Sequence, residues 1–430
     1  MSGSEDQNQS PVDVVVMGQG YVGLPLAQEA VRAGLSTVGF DVSPRVVEGL
    51  NSGKSHIDDL SDEDIDEMIA QGFSASDDPE VLSRASAIVI CVPTPLSEDG
   101  APEMRYVIGA TGMAAQYASP GALVSLESTT YPGTTEEVMK PMFEARHLKV
   151  GVDIFLAFSP ERINPGDPVY GFRNTPKVVG GVTEACTDRA VSFYGQIVDT
   201  VVPVSSTRSA EMAKLLENTY RHVNIALVNE LAKYGRALDV DIFEVIDAAK
   251  SKPFGFQAFY PGPGVGGHCI PIDPNYLSYT IRTKLGQPFR FVELAQEIND
   301  SMPRHVRTRV AEILNDERKS LRDSKILLLG VTYKANIADQ RESPARPLAT
   351  LLLQSGADLR FHDPKVETWH IDDSTQLDVQ SDLRAALAEA DLAVLLQNHA
   401  EYAELTDMLQ GTPVLDTRGI FRNRPDVHTL

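Results

Sequence analysis

The sequence has little cysteine and no long apolar run, and these two features exclude disulfide-bonded and membrane-spanning classes of protein. Only three cysteines, Cys91, Cys186 and Cys269, occur among 430 residues. A set this sparse and odd in number is no disulfide framework, so it fits a reducing, cytoplasmic compartment. No apolar run approaches the roughly 20 residues that a membrane-spanning helix needs. We therefore expect no membrane partner.

Basic residues are also in deficit. Lys and Arg together number 38 against 60 Asp and Glu, which gives a formal net charge of -22. Sequence-independent binding of nucleic acid requires a basic surface, so we expect no nucleic-acid partner. A few local donors can still hold an anionic ligand against an acidic background.

Strand-like and helical segments alternate at both ends of the chain. Apolar strand segments begin at VDVVVM (12–17) and resume at SKILLLGVTY (324–333), and a mainly helical stretch separates the two regions. Such alternation predicts parallel sheets covered by helices on both faces. The N-terminal MSGSEDQNQS lacks the basic and apolar regions of a signal peptide, so we predict a disordered tail at 1–10.

A glycine motif, GQGYVG, follows the first predicted strand and opens a helix. In a GxGxxG turn the first glycine permits a tight bend, the second lets a pyrophosphate approach, and the third allows close helix packing. Asp41 follows 18 residues after Gly23, where a carboxylate can accept the ribose hydroxyls of NAD and repel the 2′-phosphate of NADP. The predicted NAD site comprises Gly18, Gly20, Tyr21, Val22, Gly23, Asp41 and Arg45.

Cys269 differs from the other cysteines in its surroundings. It ends the glycine-rich loop GVGGHC and precedes Asp273 by four residues, whereas Cys91 and Cys186 lie in ordinary strand and helix segments. A flexible backbone can wrap a ligand, and a polar network can lower a thiol pKa below its free value of about 8.5. His268 beside it suggests a metal pair, but no second Cys/His pair follows at ligand spacing, so a packing role is favoured and no metal is predicted.

Polar residues also follow other predicted strands and share one helix face. Thr94, Thr130 and Glu161 come directly after strand segments, at the edge where open α/β sheets bind ligands. Lys214 and Asn218 are four residues apart on a long helix predicted over 207–240, so they share a face. Spacing alone favours a solvent-facing Lys214, since a buried lysine would need a partner or a function.

Seven segments in one order carry a family resemblance: VVVMGQGYVGLPLA, ICVPTPL, STTYPGTTE, FSPERINPGD, AEMAKLLENTYRHVNIALVNEL, FYPGPGVGGHCIPIDP and GVTYKANIADQRESPA. Together they resemble the UDP-glucose/GDP-mannose dehydrogenase family. The resemblance implies two Rossmann-like, doubly wound parallel-sheet domains joined by a central helical domain. It places an NAD-binding domain at 11–206, a helical dimerisation domain at 207–320 and a nucleotide-sugar domain at 321–430. It also implies a homodimer or higher homo-oligomer.

The resemblance assigns roles to individual residues. Cys269 would be the nucleophile, Lys214 and Asn218 would hold charge on the reacting oxygen, and Thr130 would lie near the nicotinamide. Glu161 and Asp273 would serve acid–base or water-activating roles, and Thr130 would order a catalytic water. The implied catalytic set is thus Cys269, Lys214, Asn218, Asp273, Glu161 and Thr130. Further NAD contacts are implied for Thr94, Thr130 and Arg341. Implied contacts to the sugar nucleotide are Glu161, Arg162, Lys214, Asn218, Phe259, Tyr260, Gly266 and Lys334. Position 165 departs from some family members, because it is proline where they carry a second acid.

The expected activity is oxidation of the C6 hydroxymethyl group of a nucleotide-diphosphate hexose to a uronic acid. Two NAD would be consumed per sugar, through a thiohemiacetal and a thioester on Cys269. The segments around SPERINPGD and the cysteine loop most resemble the branch acting on UDP-N-acetylhexosamines, chiefly UDP-GlcNAc. UDP-glucose and dTDP-glucose are alternatives, and GDP-mannose is less favoured.

Two other classes also place a nucleotide beside a helical domain. A β-hydroxyacid-type dehydrogenase makes one hydride transfer and needs no cysteine, so Cys269 and the second α/β region argue against it. A nucleotide-binding regulator without catalysis would not need Lys214, Asn218, Cys269 and Asp273 together.

Overall fold

A computed structural model of the chain describes residues 10–57, 59–97, 101–163, 169–267, 270, 272–407, 409, 411–424 and 427–430, with the backbone alone at 404–407. Four features of the sequence analysis lie outside the described residues: the tail before Ser10, Pro165, His268 and Cys269. The chain divides into two compact units, Met1–Glu217 with Asn275–Leu285, and Asn218–Pro274 with Gly286–Leu430. No helix among the described residues has the length and apolar character to cross a bilayer.

The first unit contains a sheet of eight described strands: β1 (Val12–Met17), β2 (Thr37–Phe40), β3 (Ser74–Ser76), β4 (Ala85–Ile90), β5 (Leu123–Leu126), β6 (Phe155–Phe158), β7 (Lys177–Gly181) and β8 (Val201–Val204). Their spatial order is β3-β2-β1-β4-β5-β6-β7-β8. All neighbours are parallel except β6 and β7, which are antiparallel. The first six strands therefore follow the doubly wound 3-2-1-4-5-6 order, whose direction of winding reverses between β1 and β4.

Helices cover both faces of this sheet: α1 (Gly23–Arg32), α2 (Pro44–Asn51), α3 (Asp62–Ala70), α4 (Arg105–Tyr117), α5 (Lys140–Glu144) and α6 (Glu184–Tyr194). Alternate residues of β1 enter different cores: Val15 and Met17 pack on one face, and Val14 and Val16 on the other. A strand buried on both faces is apolar throughout, which explains the continuous run VDVVVM. The polar start of α3 is capped by Ser61 and Asp64.

The longest helix, α7 (Thr207–Gly235), ends earlier than predicted. A short 3-10 turn, Arg236–Leu238, follows it, and Asp239 adopts a left-handed φ of 56°. The amide of Val240 then donates back to the carbonyl of Gly235 at 2.9 Å. Such a reversal satisfies carbonyls that the helix end would leave unpaired. The helical register predicted to 240 therefore stops at Gly235.

The second unit combines helices with a smaller sheet. Its helices are α8 (Ile242–Lys250), α10 (Arg290–Asp316), α11 (Ala345–Gln354) and α12 (Leu383–Glu389), while α9 (Asp273–Leu285) lies mostly in the first unit. Its strands are β9 (Lys325–Leu329), β10 (Asp358–His362), β13 (Leu392–Leu395), β14 (Val414–Asp416) and β15 (Val427–Thr429), besides a two-stranded ribbon of β11 (Thr368–His370) and β12 (Gln376–Asp378). The sheet order β10-β9-β13-β14-β15 is parallel throughout. The predicted class, two Rossmann-like parallel sheets with a helical stretch between them in sequence, is confirmed.

Candidate active site

In the turn after β1, each of the three motif positions requires glycine for a different physical reason. Gly18 has φ +90°, and a Cβ there would lie 2.7 Å from the carbonyl oxygen of Cys91. A Cβ at Gly23 would lie 1.8 Å from the carbonyl oxygen of Gly18. A Cβ at Gly20 would meet no heavy atom of the described chain within 4 Å. Two of the glycines are thus required by packing, whereas Gly20 leaves room for a ligand phosphate to approach the backbone.

Asp41 is held at the end of β2, beside the glycine turn. Its Oδ2 accepts the backbone N–H of Gln19 at 3.0 Å, and its Oδ1 accepts the N–H of Ser43 at 2.9 Å. Tyr21 and Arg45 are exposed and Val22 is half-buried. An open Gly20 and a fixed carboxylate fit the pyrophosphate and ribose of NAD, while the carboxylate would repel an added 2′-phosphate.

Two glycine substitutions should separate folding from cofactor binding. Gly23→Ala should lower the free energy of unfolding by about 2–3 kcal/mol or more, because its methyl group overlaps Gly18. Gly20→Ala should change stability by about 0.5 kcal/mol or less, because its methyl group meets no protein atom. It should nevertheless weaken NAD binding about tenfold or more, since the methyl group occupies the space of the pyrophosphate. Urea unfolding and NAD titration calorimetry measure the two effects, and equal stability losses in both variants would contradict this division.

Three predicted site residues lie past strand ends of the same unit. The carbonyl oxygen of Thr94 accepts the hydroxyl of Tyr276 at 2.9 Å. Thr130 is 1% exposed, and its hydroxyl has no hydrogen-bond partner among the described residues. Buried hydroxyls are normally paired, so this one is available to a bound ligand or water. Glu161 accepts the N–H of Ile163 through Oε1, while its buried Oε2 lacks a hydrogen bond within the described chain.

Lys214 and Asn218 lie one turn apart on α7. Lys214 is only 7% exposed, so the solvent-facing orientation that spacing alone favoured is wrong. Spacing fails here because the helix is apolar around much of its circumference and marks no single buried face. Asn218 donates from Nδ2 to Oδ2 of the buried Asp273 at 2.5 Å. Two of the predicted catalytic side chains are thus in direct contact.

Arg162 is held by an acid and a carbonyl rather than left extended. Its guanidinium pairs with Glu217 at 2.7 Å and donates to the carbonyl oxygen of Pro176 at 2.6 Å. The side chain is about a quarter exposed. Arg162 follows Glu161 in the chain, so this ion pair lies at the edge of the sheet where the predicted ligands bind.

A buried polar cluster beside Glu161 was missed by the sequence analysis. Lys177, at the start of β7, pairs with Glu127, just past β5, at 2.8 Å. The hydroxyl of Tyr194 donates to the same carboxylate at 2.7 Å. Burial raises the pKa of Glu127, while Lys177 acts in the opposite direction. The available signal was a charged residue within or beside an apolar strand segment, which is rarely tolerated without a partner.

The two described cysteines have structural environments, as predicted. Cys91 follows β4, and burial raises its thiol pKa well above the ordinary value. Cys186 is fully buried in α6, and its sulfur accepts the N–H of Leu156 at 3.3 Å. A raised pKa disfavours the nucleophilic thiolate, so Cys91 is unsuited to covalent catalysis. No group of three or more potential metal ligands occurs among the described residues.

In the second unit, Lys334 lies in a loop above the point where strand order reverses. The reversal falls between β9 and β13, the position at which sheets of this order bind ligands. Asn336, in a left-handed conformation, donates its N–H to Nδ1 of His399 at 3.0 Å and accepts the N–H of Ala400 at 2.8 Å. His399 in turn contacts Asp363 at 3.2 Å. These contacts hold the loop that contains Lys334.

The glycine-rich loop packs against the segment 333–344 of the same unit. A Cβ at Gly266 would lie 2.7 Å from the carbonyl oxygen of Glu342, so packing requires glycine there. Phe259 meets Tyr220 edge to face with 5.8 Å between ring centres. The exposed Tyr260 donates to Oδ1 of Asp247 at 2.6 Å. These contacts hold residues 259–260, which lead into the glycine-rich loop and are predicted sugar-nucleotide contacts.

Arg341, predicted to reach the NAD pyrophosphate, makes a two-pronged pair with Asp339. Its Nε and Nη2 lie 2.9 and 2.8 Å from the two carboxylate oxygens. The guanidinium is about half exposed. Its geometry suits recognition of an anion with two acceptor oxygens, although a phosphate would compete with Asp339 for the same donors.

Comparison with known proteins covers nearly the whole chain. Residues 12–198 match the NAD binding domain of the UDP-glucose/GDP-mannose dehydrogenase family, residues 208–301 its central domain, and residues 327–423 its UDP binding domain. All three matches occur in family order.

Individual relatives agree with this match. A UDP-N-acetyl-D-mannosamine dehydrogenase of Escherichia coli is 34% identical over 95% of this chain and 99% of its own. An NDP-N-acetyl-D-galactosaminuronic acid dehydrogenase of Ralstonia nicotianae is 33% identical over 95% and 96%. The solved structure of a UDP-D-ManNAc dehydrogenase from Pyrococcus horikoshii superposes with a TM-score of 0.88, at 31% identity over 97% and 98%. The chain therefore belongs to the UDP-glucose/GDP-mannose dehydrogenase family and is an NAD-dependent nucleotide-sugar dehydrogenase.

Proposed function

We propose that the enzyme oxidises the C6 alcohol of a UDP-N-acetylhexosamine to the carboxylate, with UDP-N-acetylmannosamine as the best-supported sugar. The observation that supports this choice is that relatives at 33–34% identity are named for N-acetylated sugar nucleotides, UDP-N-acetyl-D-mannosamine and NDP-N-acetyl-D-galactosaminuronic acid. UDP-GlcNAc, favoured by the sequence segments, is the first alternative within the same class. UDP-glucose and dTDP-glucose lack the acetamido group that those relatives' sugars share.

The overall reaction fixes the number of electrons and protons to be moved. One alcohol, two NAD⁺ and one water give one carboxylate, two NADH and three protons. When bound, NAD⁺ supplies the hydride acceptor for both oxidation stages. The glycine turn at Gly18, Gly20 and Gly23 would hold its pyrophosphate, and Asp41 its ribose hydroxyls. Thr94, Thr130 and Arg341 complete the proposed cofactor contacts.

The chain's own residues carry the chemistry between the two oxidation stages. The Cys269 thiolate would add to the aldehyde carbon, forming a C–S bond and a thiohemiacetal that is then oxidised to a thioester. Lys214 and Asn218 would stabilise the negative oxygen formed at that carbon. Water would cleave the C–S bond, releasing the carboxylate and regenerating the thiol. Glu161 and Asp273 would serve in proton transfer or water activation, the roles that the family resemblance implies for them.

Substrate binding involves the second unit in this proposal. The residues that we propose contact the sugar nucleotide, as the family resemblance implies, are Lys334, Phe259, Tyr260, Gly266, Arg162 and Glu161. The three segments 11–206, 207–320 and 321–430 would serve as cofactor, dimerisation and nucleotide-sugar domains. We also propose that the enzyme functions in the cytoplasm, because a sparse, odd cysteine set fits a reducing compartment.

A homodimer is part of the same proposal. Tyr220, Leu227, Leu231 and Tyr234 recur at helical spacing on α7 and are each 44–55% exposed. A row of large apolar side chains on one helix face is suited to association with another apolar surface. Light scattering of the purified protein distinguishes dimer from monomer.

A panel of sugar nucleotides tests the proposed substrate. We expect UDP-ManNAc to give a kcat/KM about tenfold or more above that of UDP-glucose, since a site that hydrogen-bonds a polar group rejects analogues that lack it. UDP-GlcNAc, UDP-GalNAc, dTDP-glucose and GDP-mannose complete the panel, and NADH formation is the readout. A preference for UDP-glucose would contradict the proposed sugar class, and no turnover of any member would contradict the proposed reaction.

A further inference from the structure

Lys177, Glu127, Tyr194 and Phe172 form a buried cluster within the first unit, in which Lys177 contacts Glu127 and the two rings. Lys177 is 5% exposed and Glu127 1% exposed. One oxygen of Glu127 accepts a hydrogen bond from Lys177 Nζ at 2.8 Å, and the other accepts one from the hydroxyl of Tyr194 at 2.7 Å. The ammonium also lies 4.9 Å from the ring centre of Phe172 and 5.1 Å from that of Tyr194. Two rings and a carboxylate therefore fix the lysine head group in place.

The same ammonium lies near a second carboxylate, that of Glu161. Lys177 Nζ and Glu161 Oε2 are 4.0 Å apart, and both groups are about nine-tenths buried or more. Glu161 Oε1 accepts the N–H of Ile163, so Oε2 is the oxygen left for other contacts. Both side chains line a small cavity of about 10 Å³, which is about the size needed for one water.

Among the described residues near this cluster, Lys214 belongs to the proposed catalytic machinery and Arg162 is already paired with an acid. The groups whose charges act on the Cys91 thiol are Glu127, Lys177, Glu161 and Lys214. Arg162 is engaged by Glu217 and by the carbonyl oxygen of Pro176. A lysine has three donors, of which Glu127 takes one. Lys177 thus retains donor capacity on the side of Glu161.

We propose that Lys177 is a positioning residue for the dehydrogenase reaction: anchored by Glu127, it holds the Glu161 carboxylate where that group handles protons. The inference rests on the proposed function, in which Glu161 acts on the substrate or on the hydrolytic water. The alternative is a purely structural role, in which Lys177 only neutralises the buried Glu127. The two readings differ when both partners are removed together.

Four variants distinguish the two roles. Lys177→Met keeps the side-chain length and removes the charge, and Lys177→Arg keeps the charge. Glu127→Gln removes the negative charge but keeps an amide oxygen that can accept the hydrogen bond of Lys177, so Lys177 stays anchored beside Glu161. The double variant Glu127→Gln with Lys177→Met removes the buried pair entirely, which proteins often tolerate without loss of stability. Lys319→Met is the matched control, because it removes a surface pair to Asp391 of 2.6 Å in the second unit.

We expect Lys177→Met and the double variant to lose about 100-fold in kcat, the size of effect that misplacing a reacting group produces. KM for NAD should stay within about threefold, because neither Lys177 nor Glu161 is a proposed NAD contact, whereas KM for the sugar should rise as Glu161 loses its position. Lys177→Arg should recover at least about tenfold of the loss, Glu127→Gln should lose about threefold or less, and the control should match wild type. Rapid-quench analysis of the enzyme-bound thioester and of the first NADH burst shows which step slows.

The double variant decides the matter, since it stays interpretable even when Lys177→Met alone does not fold. Wild-type kcat in a folded double variant overturns the proposal, because neutralising Glu127 would then be the whole role of Lys177. A double variant with a higher KM but an unchanged kcat also overturns the proposal. Failure of the wild-type enzyme to oxidise any sugar nucleotide would instead contradict the proposed function and is measured separately.

Discussion

Replacing Cys269 by serine is expected to lower the rate of uronate formation by about 10³-fold or more, because a serine alkoxide is far less available than a thiolate at neutral pH. The first oxidation does not require the thiol, so the variant should stall at the aldehyde stage or accumulate a covalent adduct. Mass spectrometry of the protein and chromatography of the sugar nucleotides measure both outcomes.

Cys186→Ser is the matched control for loss of a thiol. Cys186 is fully buried in α6, away from the proposed reacting residues in sequence, and its thiol accepts a hydrogen bond that a hydroxyl can also accept. Its activity should stay close to wild type. Free uronate released by Cys269→Ser at the wild-type rate would remove the covalent mechanism.

Replacing Lys214 by methionine should lower kcat by about 10²- to 10³-fold, the usual size of effect when one donor to a developing oxyanion is lost. KM for both ligands should change by about threefold or less, since the interaction strengthens mainly in the transition state. Methionine preserves the apolar packing of a side chain that is only 7% exposed, so unfolding is not the expected cause.

Lys233→Met on the same helix provides the comparison. Lys233 contacts the hydroxyl of Ser301 and is half-buried, but it has no place in the proposed chemistry. Its kcat should match wild type. A Lys214→Met enzyme with an unchanged kcat would show that the buried lysine has a structural role alone.

Local features of the cofactor site could be predicted from the sequence, because the relevant residues are close in the chain. The tight turn at Gly18 and the packing of Gly23 against it depend on positions five residues apart. The carboxylate of Asp41 contacts the turn because the next parallel strand ends beside it. Such short βαβ relationships recur wherever the pattern of residues occurs.

Features that depend on distant parts of the chain could not be predicted in the same way. Glu127 and Lys177 meet across 50 residues of sequence, and the antiparallel pairing of β6 with β7 breaks the alternation that the pattern indicates. Lys214 is buried because of what packs around α7, which helical spacing does not reveal. The family resemblance supplied the functional expectation for Lys214, while the cluster beside Glu161 emerged only from the structure.

The ratio of NADH formed to uronate released is the most direct measurement of the proposed reaction. With UDP-ManNAc in limiting amount and NAD in excess, absorbance at the NADH band and chromatography of the acidic product give both quantities. A four-electron oxidation through a Cys269 thioester predicts two NADH for each uronate and no free aldehyde. A ratio of one, with the aldehyde as the released product, would contradict it.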